Sequence, residues 1–142
     1  MKSFAFVIIQ FSCIAYFALT GNFILFEPLY FVIQTIGALT ILWAIFTMKP
    51  TQWMIFPEPK MLGNLIVSGP YRWVRHPMYS GLLIMTAAIV LYRCEWPPLL
   101  VFIGFLINQI QKLTYEESML LERFPEYVKY KQNTKRLFPI IY

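Results

Sequence analysis

The sequence predicts an all-α, polytopic membrane protein with about four transmembrane helices and a helical C-terminal tail on the cytosolic side. Three observations predict it. Hydrophobic residues make up 58% of the chain and charged residues 13%, whereas a soluble domain carries about 25% charged residues to solvate its surface. The apolar residues fall into four runs separated by polar or proline-bearing segments. Eleven of the twelve Lys and Arg residues lie on one side of those runs, a bias that marks cytosolic segments.

The first run, residues 4–20, follows Lys2. No A-x-A pattern succeeds it, so it reads as an uncleaved helix rather than a signal peptide. The second, residues 29–48, is 20 residues long. At about 1.5 Å per residue it reaches about 30 Å, the thickness of the hydrocarbon layer. The bridge between them is short, which makes an antiparallel hairpin. Residues 49–77 are predicted to form a cytosolic loop. Pro50, Pro57, Pro59, Pro70 and Pro77 exclude a continuous helix there, and Gly63 and Ser68-Gly69-Pro70 suit tight turns.

The third and fourth runs, residues 78–92 and 97–110, each reach only about 21–23 Å. The fourth is predicted to continue as helix to residue 121, beyond the membrane surface. Arg93-Cys94-Glu95-Trp96-Pro97-Pro98 forms the tight turn between them, with Trp96 suited to an interface. The tail comprises residues 111–142. Pro125 is expected to end one helix and to sit in the first turn of the next. Leu120, Phe124 and Tyr127, spaced i, i+4 and i+7, form an apolar stripe that should dock on something. Four spans put Lys2, the 49–77 loop and the tail together on the cytosolic side, and leave Arg93 alone opposite. The net charge of +5 then reads as topology and attraction to anionic headgroups, not as nucleic-acid binding.

The inventory excludes much chemistry. There is no Asp, the only histidine is His76, and Cys13 and Cys94 lie far apart. No structural zinc site is expected from this ligand set, nor a disulfide, nor any other metal centre. There is no Ser-His-Asp triad and no GxSxG elbow. The six glycines form neither GxGxxG nor a phosphate-binding loop, so a nucleotide-like cofactor must bind outside a Rossmann site.

Two polar clusters flank the last helix pair. Residues 69–81 enter the third helix and carry Arg72, Arg75, His76 and Tyr79. Residues 115–120 leave the fourth and carry Glu116 and Glu117. A tight hairpin sets its open ends side by side, which places His76 near the two glutamates at the membrane surface. Each residue also has a plainer reading. Arg72, Arg75 and His76 are then headgroup anchors, Glu116 pairs with Lys112 one turn away, and Tyr71, Trp73 and Tyr79 form an aromatic belt.

In combination the residues say more. Arg75-His76-Pro77-x-Tyr79-x-Gly81 is followed by Glu116-Glu117-x-x-Leu120, then Phe124-x-Glu126-Tyr127-x-x-Tyr130 and Thr134-x-Arg136. This series resembles the isoprenylcysteine carboxyl methyltransferase family, and related phospholipid N-methyltransferases share its R-H-P-x-Y-x-G and E-E elements. The resemblance covers roughly residues 60–142. It implies a single membrane-embedded methyltransferase domain over residues 1–142, with S-adenosylmethionine as cofactor. The pocket would be made by the loop before the third helix, the helix pair, and the tail folded back as a lid.

By the same resemblance His76, Tyr79, Gly81, Glu116 and Glu117 line the cofactor site. Arg75 contributes there or supports the fold, and Arg136 or Arg75 holds the carboxylate of an acceptor. The acceptor would be a lipophilic small molecule or a prenylated group, carboxyl O-methylated as an isoprenylcysteine-like substrate and entering from the bilayer. The chain is shorter than the better-known members, so a homodimer is one way to complete the lipid cavity. The residue types suit this ligand: Arg or His meets a carboxylate, Glu accepts from an ammonium or ribose hydroxyl, and Gly81 admits close approach to the backbone. A carboxylate acceptor needs no general base. An amine must arrive neutral, and then a nearby Glu or Tyr matters more.

Two other functions compete. One is an NADPH-dependent membrane reductase of the sterol reductase type, which uses His, Tyr and Glu in a similar C-terminal helix arrangement. Its cofactor's phosphates call for more basic residues than Arg75 and His76 supply. The other is a non-enzymatic four-helix transporter or assembly protein. The predicted spans contain no Lys, Arg, Asp or Glu to mark an ion path.

Overall fold

A computed structural model describes residues 2–20, 24–48 and 65–139. Most of the predicted cytosolic loop, including Lys49, Lys60 and Gly63, lies outside the described residues. Among the described residues five α-helices form: α1 (Lys2–Leu19), α2 (Pro28–Thr47), α3 (Pro77–Arg93), α4 (Trp96–Arg123) and α5 (Tyr127–Asn133). A short 3-10 helix, Gly69–Arg72, precedes α3. Among the described residues there is no strand, only an isolated parallel bridge between Val74 and Lys135.

Prolines start these helices. Pro28 opens α2, Pro77 opens α3, and a proline falls in the first two positions of α4, where the missing N–H costs nothing and the fixed φ suits the helix. Each predicted run lies within one or two residues of an observed helix. Helix α4 ends at Arg123, just before Pro125 as expected, but Pro125 lies in the turn before α5 rather than in its first turn. The Phe124 amide still bonds to the Leu120 carbonyl at 2.9 Å, closing α4, and the Tyr127 amide bonds to the Phe124 carbonyl at 2.9 Å.

The α3–α4 turn is two residues long, and Cys94 closes α3 with a left-handed φ of 51°. Arg93 secures the turn, donating to Glu95 at 3.0 Å and to the Thr20 carbonyl of α1's end at 3.3 Å. Helix α2 packs along α3, and α1 along α4. The α2–α3 crossing is close because two glycines meet there. A Cβ on Gly81 would lie 2.6 Å from the Gly37 carbonyl, and one on Gly37 would lie 2.8 Å from the Gly81 carbonyl. Small residues allow this approach where apolar helices must pack by contact alone.

One core cluster, Phe17, Leu25, Ala88, Ile89 and Val90, sits near the α3–α4 turn. The other, Leu83, Phe105, Leu113 and Leu137, lies toward the open end and draws in the tail. Large apolar side chains also cover the outside, among them Phe4, Ile8 and Phe11 of α1, Leu39, Trp43 and Phe46 of α2, and Ile103 and Ile107 of α4. Among the described residues only α2 is both long and apolar enough to cross a membrane, and residues 3–19 and 77–93 form shorter apolar helices. Helix α4 has the length, 28 residues, but its second half is charged.

Candidate active site

The tail reaches the start of α3 through backbone pairing. The Lys135 amide bonds to the Trp73 carbonyl at 3.1 Å, the Arg75 amide to the Lys135 carbonyl at 2.8 Å, and the His76 amide to the Arg136 carbonyl at 3.0 Å. The Ser80 hydroxyl lies within hydrogen-bonding reach of the His76 and Leu137 carbonyls. This clip lays residues 134–137 across the α3–α4 opening. It also brings α5 against the end of α4, with Tyr127 fully buried. Of the predicted apolar stripe, Tyr127 docks completely while Leu120 and Phe124 are half-buried.

Glu117 is the centre of the site, only 2% exposed. Arg75 Nε donates to its Oε1 at 2.7 Å, and His76 Nε2 lies 3.4 Å from the same oxygen. Arg136 Nη2 is 3.2 Å from Oε2 and Lys131 Nζ 4.0 Å from it. Burial alone raises a carboxyl's pKa, but here hydrogen bonds from His76 and Arg75, reinforced by the Arg75 charge, outweigh it. Glu117 is held ionised, with a pKa of about 2. Arg75 is itself buried, and its Nη1 donates to the Lys131 carbonyl at 3.2 Å and to the Thr134 carbonyl. One guanidinium thus ties α4 to the tail.

His76, Tyr79 and Glu116 form the neighbouring layer. The His76 and Tyr79 rings are parallel within 3°, with centroids 5.4 Å apart. The Tyr79 hydroxyl donates to Glu116 Oε2 at 2.9 Å, and His76 Nδ1 is 3.7 Å from that oxygen. His76 therefore stands between both glutamates, as the hairpin geometry requires. Tyr127 and Tyr130 hold their protons well above the ordinary range, because of burial first, with the Glu117 charge adding to it. The buried Tyr127 hydroxyl has no hydrogen-bond partner among the described residues, and Glu117 Oε2 is met by the charges of Arg136 and Lys131 rather than by an aligned hydrogen bond.

Gly81 is the exception among the expected site residues. The space beside it is filled by Ile41 and the Gly37 carbonyl of α2, so it admits a helix rather than a ligand. Other residues join the site unannounced. Lys112 is 2% exposed; its ammonium bonds to Gln10 of α1 at 2.8 Å and lies 5.1 Å from the Tyr79 ring centre. Its position four residues before Glu116 was the available signal, but nothing in the sequence pointed to Gln10. Lys131 was legible only as one of several basic tail residues.

Residues 28–127 match the family described as phospholipid methyltransferase, which is related to the isoprenylcysteine carboxyl methyltransferases. The match takes in α2, α3 and α4 and ends at Tyr127. No curated protein matches the chain.

Proposed function

The chain belongs to the phospholipid methyltransferase family, and from that premise we propose that it is an integral membrane methyltransferase using S-adenosylmethionine on a lipophilic acceptor. The observation that carries this reading is the convergence of His76, Tyr79, Glu116 and Glu117 beside the buried Tyr127 hydroxyl, which makes no hydrogen bond among the described residues. Leaving such a group unbonded costs about 1–3 kcal/mol. A ligand rich in hydroxyl and ammonium groups answers it: Tyr127, protonated at any ordinary pH, donates to it or accepts from it, and the carboxylates of Glu116 and Glu117 stand beside it.

The residues fit the cofactor without a Rossmann loop. Glu116 and Glu117 would hold its ammonium and ribose hydroxyls, and His76 and Tyr79 would flank its adenine or its positive sulfur. When bound it supplies an electrophilic methyl group. The protein's part is to fix the acceptor in line and exclude water, and positioning of this kind is worth about 7–11 kcal/mol. Arg136 is the better candidate to hold an acceptor carboxylate: it also faces Glu117, but its side chain is a quarter exposed, whereas Arg75 is buried among Glu117 and the tail carbonyls. Gly81 leaves the cofactor set and takes a packing role.

The apolar exterior of α1, α2 and α4 supports a four-span arrangement, with the site on the cytosolic face. Helix α3 is short for a span at 17 residues, about 25 Å long, and tilting or local thinning of the bilayer makes up the difference. The preferred acceptor is an isoprenylcysteine-like carboxylate. The family's description favours an amine-bearing phospholipid as the second reading, with the partly exposed Glu116 receiving the amine.

The test is calorimetric titration of the detergent-purified protein with S-adenosylhomocysteine, beside a Glu116→Gln variant and an NADPH control. Saturable binding weakened at least ten-fold in the variant supports the reading. Binding of NADPH alone by folded protein replaces it with a reductase. For the acceptor, Arg136→Ala should raise KM for a carboxylate acceptor much more than KM for S-adenosylmethionine.

A further inference from the structure

Beyond the Glu117 site, the tail and the 3-10 helix enclose a surface cleft of about 320 Å³. Its lining includes Arg72, Lys131 and Lys135, together with Trp73, Asn133 and Thr134, and no carboxylate. Arg72 and Lys135 are exposed and make no ion pair among the described residues. Lys131 also faces Glu117 at 4.0 Å, so Arg72 and Lys135 are the pair that repel one another across the concavity unless an anion is shared between them.

The cleft opens beside the end of α2. The Trp73 ring meets the Trp43 ring edge-on at 5.6 Å, and the Tyr71 hydroxyl reaches Met48 at 3.1 Å. Both tryptophans are about half exposed, and Leu39 and Ile36, farther from the cleft along α2, continue an exposed apolar stripe. The order from cleft to stripe is cationic, then aromatic, then aliphatic. That is the order of a phospholipid: phosphate, interfacial region, acyl chains.

We propose that this cleft docks an anionic phospholipid of the cytosolic leaflet, separate from the methyl acceptor. Its phosphate sits between Arg72 and Lys135 with Lys131 at the rim, its glycerol lies against Trp73 and Trp43, and its chains follow Leu39 and Ile36. A zwitterionic headgroup is disfavoured, because its ammonium would face the same cations. The docked lipid fixes the 3-10 helix and the tail at the membrane surface, next to the clip that closes the active site. The inference rests on the membrane reading but not on methyl transfer.

Quenching of tryptophan fluorescence tests it. The full chain carrying Trp53→Phe and Trp96→Phe, which leaves Trp43 and Trp73, is placed in nanodiscs. Phosphatidylglycerol or phosphatidylcholine, brominated on the acyl chains, is then added at equal mole fraction. The expected result is at least two-fold stronger quenching by the anionic lipid, reduced to parity by Arg72→Gln with Lys135→Gln. S-adenosylhomocysteine binding should be unchanged in that variant. Equal quenching by the two lipids overturns the proposal and leaves the membrane reading standing. No quenching by either overturns both. Loss of the difference on adding inorganic phosphate at constant ionic strength overturns the lipid assignment in favour of a soluble phosphate.

Discussion

Glu117 shows how one buried charge organises a site. Three other polypeptide segments reach it: the α3 entrance through Arg75 and His76, α5 through Lys131, and the tail through Arg136. Removing one partner of a buried ion pair costs about 3–5 kcal/mol, because the remaining charges lose their compensation. Glu117→Gln is therefore expected to lower the thermal midpoint in detergent clearly, whereas Glu126→Gln, on the exposed α4–α5 turn, should leave it within a degree or two. The pH dependence follows from the direction in which the fold moves this carboxyl. The folded protein holds Glu117 below its ordinary 4.5, at about 2. Its contribution is complete above the ordinary value and is lost as the pH falls through about 2. Wild-type stability should decline in acid over that window by a few kcal/mol, since each pH unit between the two values is worth about 1.4 kcal/mol. The Glu117→Gln profile should be flatter there. A wild-type profile as flat as the variant's would remove Glu117 from this role.

At the scale of elements, α1 matters because of one contact at its centre. Lys112 and Gln10 are both buried, so truncating one strands the other. Lys112→Met alone should cost about 1–3 kcal/mol, and the double variant with Gln10→Leu should recover most of it, since replacing both partners by apolar groups is close to neutral. Additive losses in the double-mutant cycle would deny the coupling. The α2–α3 crossing makes a different demand. Gly81→Ala forces a methyl group against backbone, and overpacking of this kind costs about 1–3 kcal/mol. The fall in stability should exceed any change in S-adenosylhomocysteine affinity measured on the folded fraction. Hydropathy runs and prolines made the helices legible, because both act locally along the chain. The nearness of His76 to Glu116 and Glu117 was legible too, since a two-residue turn leaves the hairpin's ends nowhere else to go. The role of Gly81 was not: a glycine in a motif reads the same whether a ligand or a helix fills the space beside it. Helix α2 carried no recognisable pattern, yet the family match includes it. Its contribution is a packing surface, which many apolar sequences supply.

For the whole molecule, orientation is the open physical statement, and Cys94 reports it. The residue is exposed in the α3–α4 turn, at the opposite end of the hairpin from Glu117. A membrane-impermeant maleimide should label Cys94 from the non-cytosolic face of sealed vesicles, and should label an Asn133→Cys variant only after the cytosolic face is opened. The reverse pattern would invert the topology. Charge placement predicts which ends share a side, and this labelling pattern decides it. The resemblance implied a tail folded back over the site, but the pairing of residues 134–137 with 73–76 could not be foretold, because it uses backbone groups that every residue carries. That clip also orders events during synthesis. Chains fold as they emerge, N-terminal parts first. Helices α3 and α4 are therefore made before the segment that supplies Arg136 and receives Arg75. Until that segment emerges, Glu117 lacks part of its counter-charge and the pocket has no roof. On the function proposed above, a ribosome paused before residue 134 would carry the α3–α4 hairpin without activity, and methyl transfer would begin only once the last part of the site had been translated.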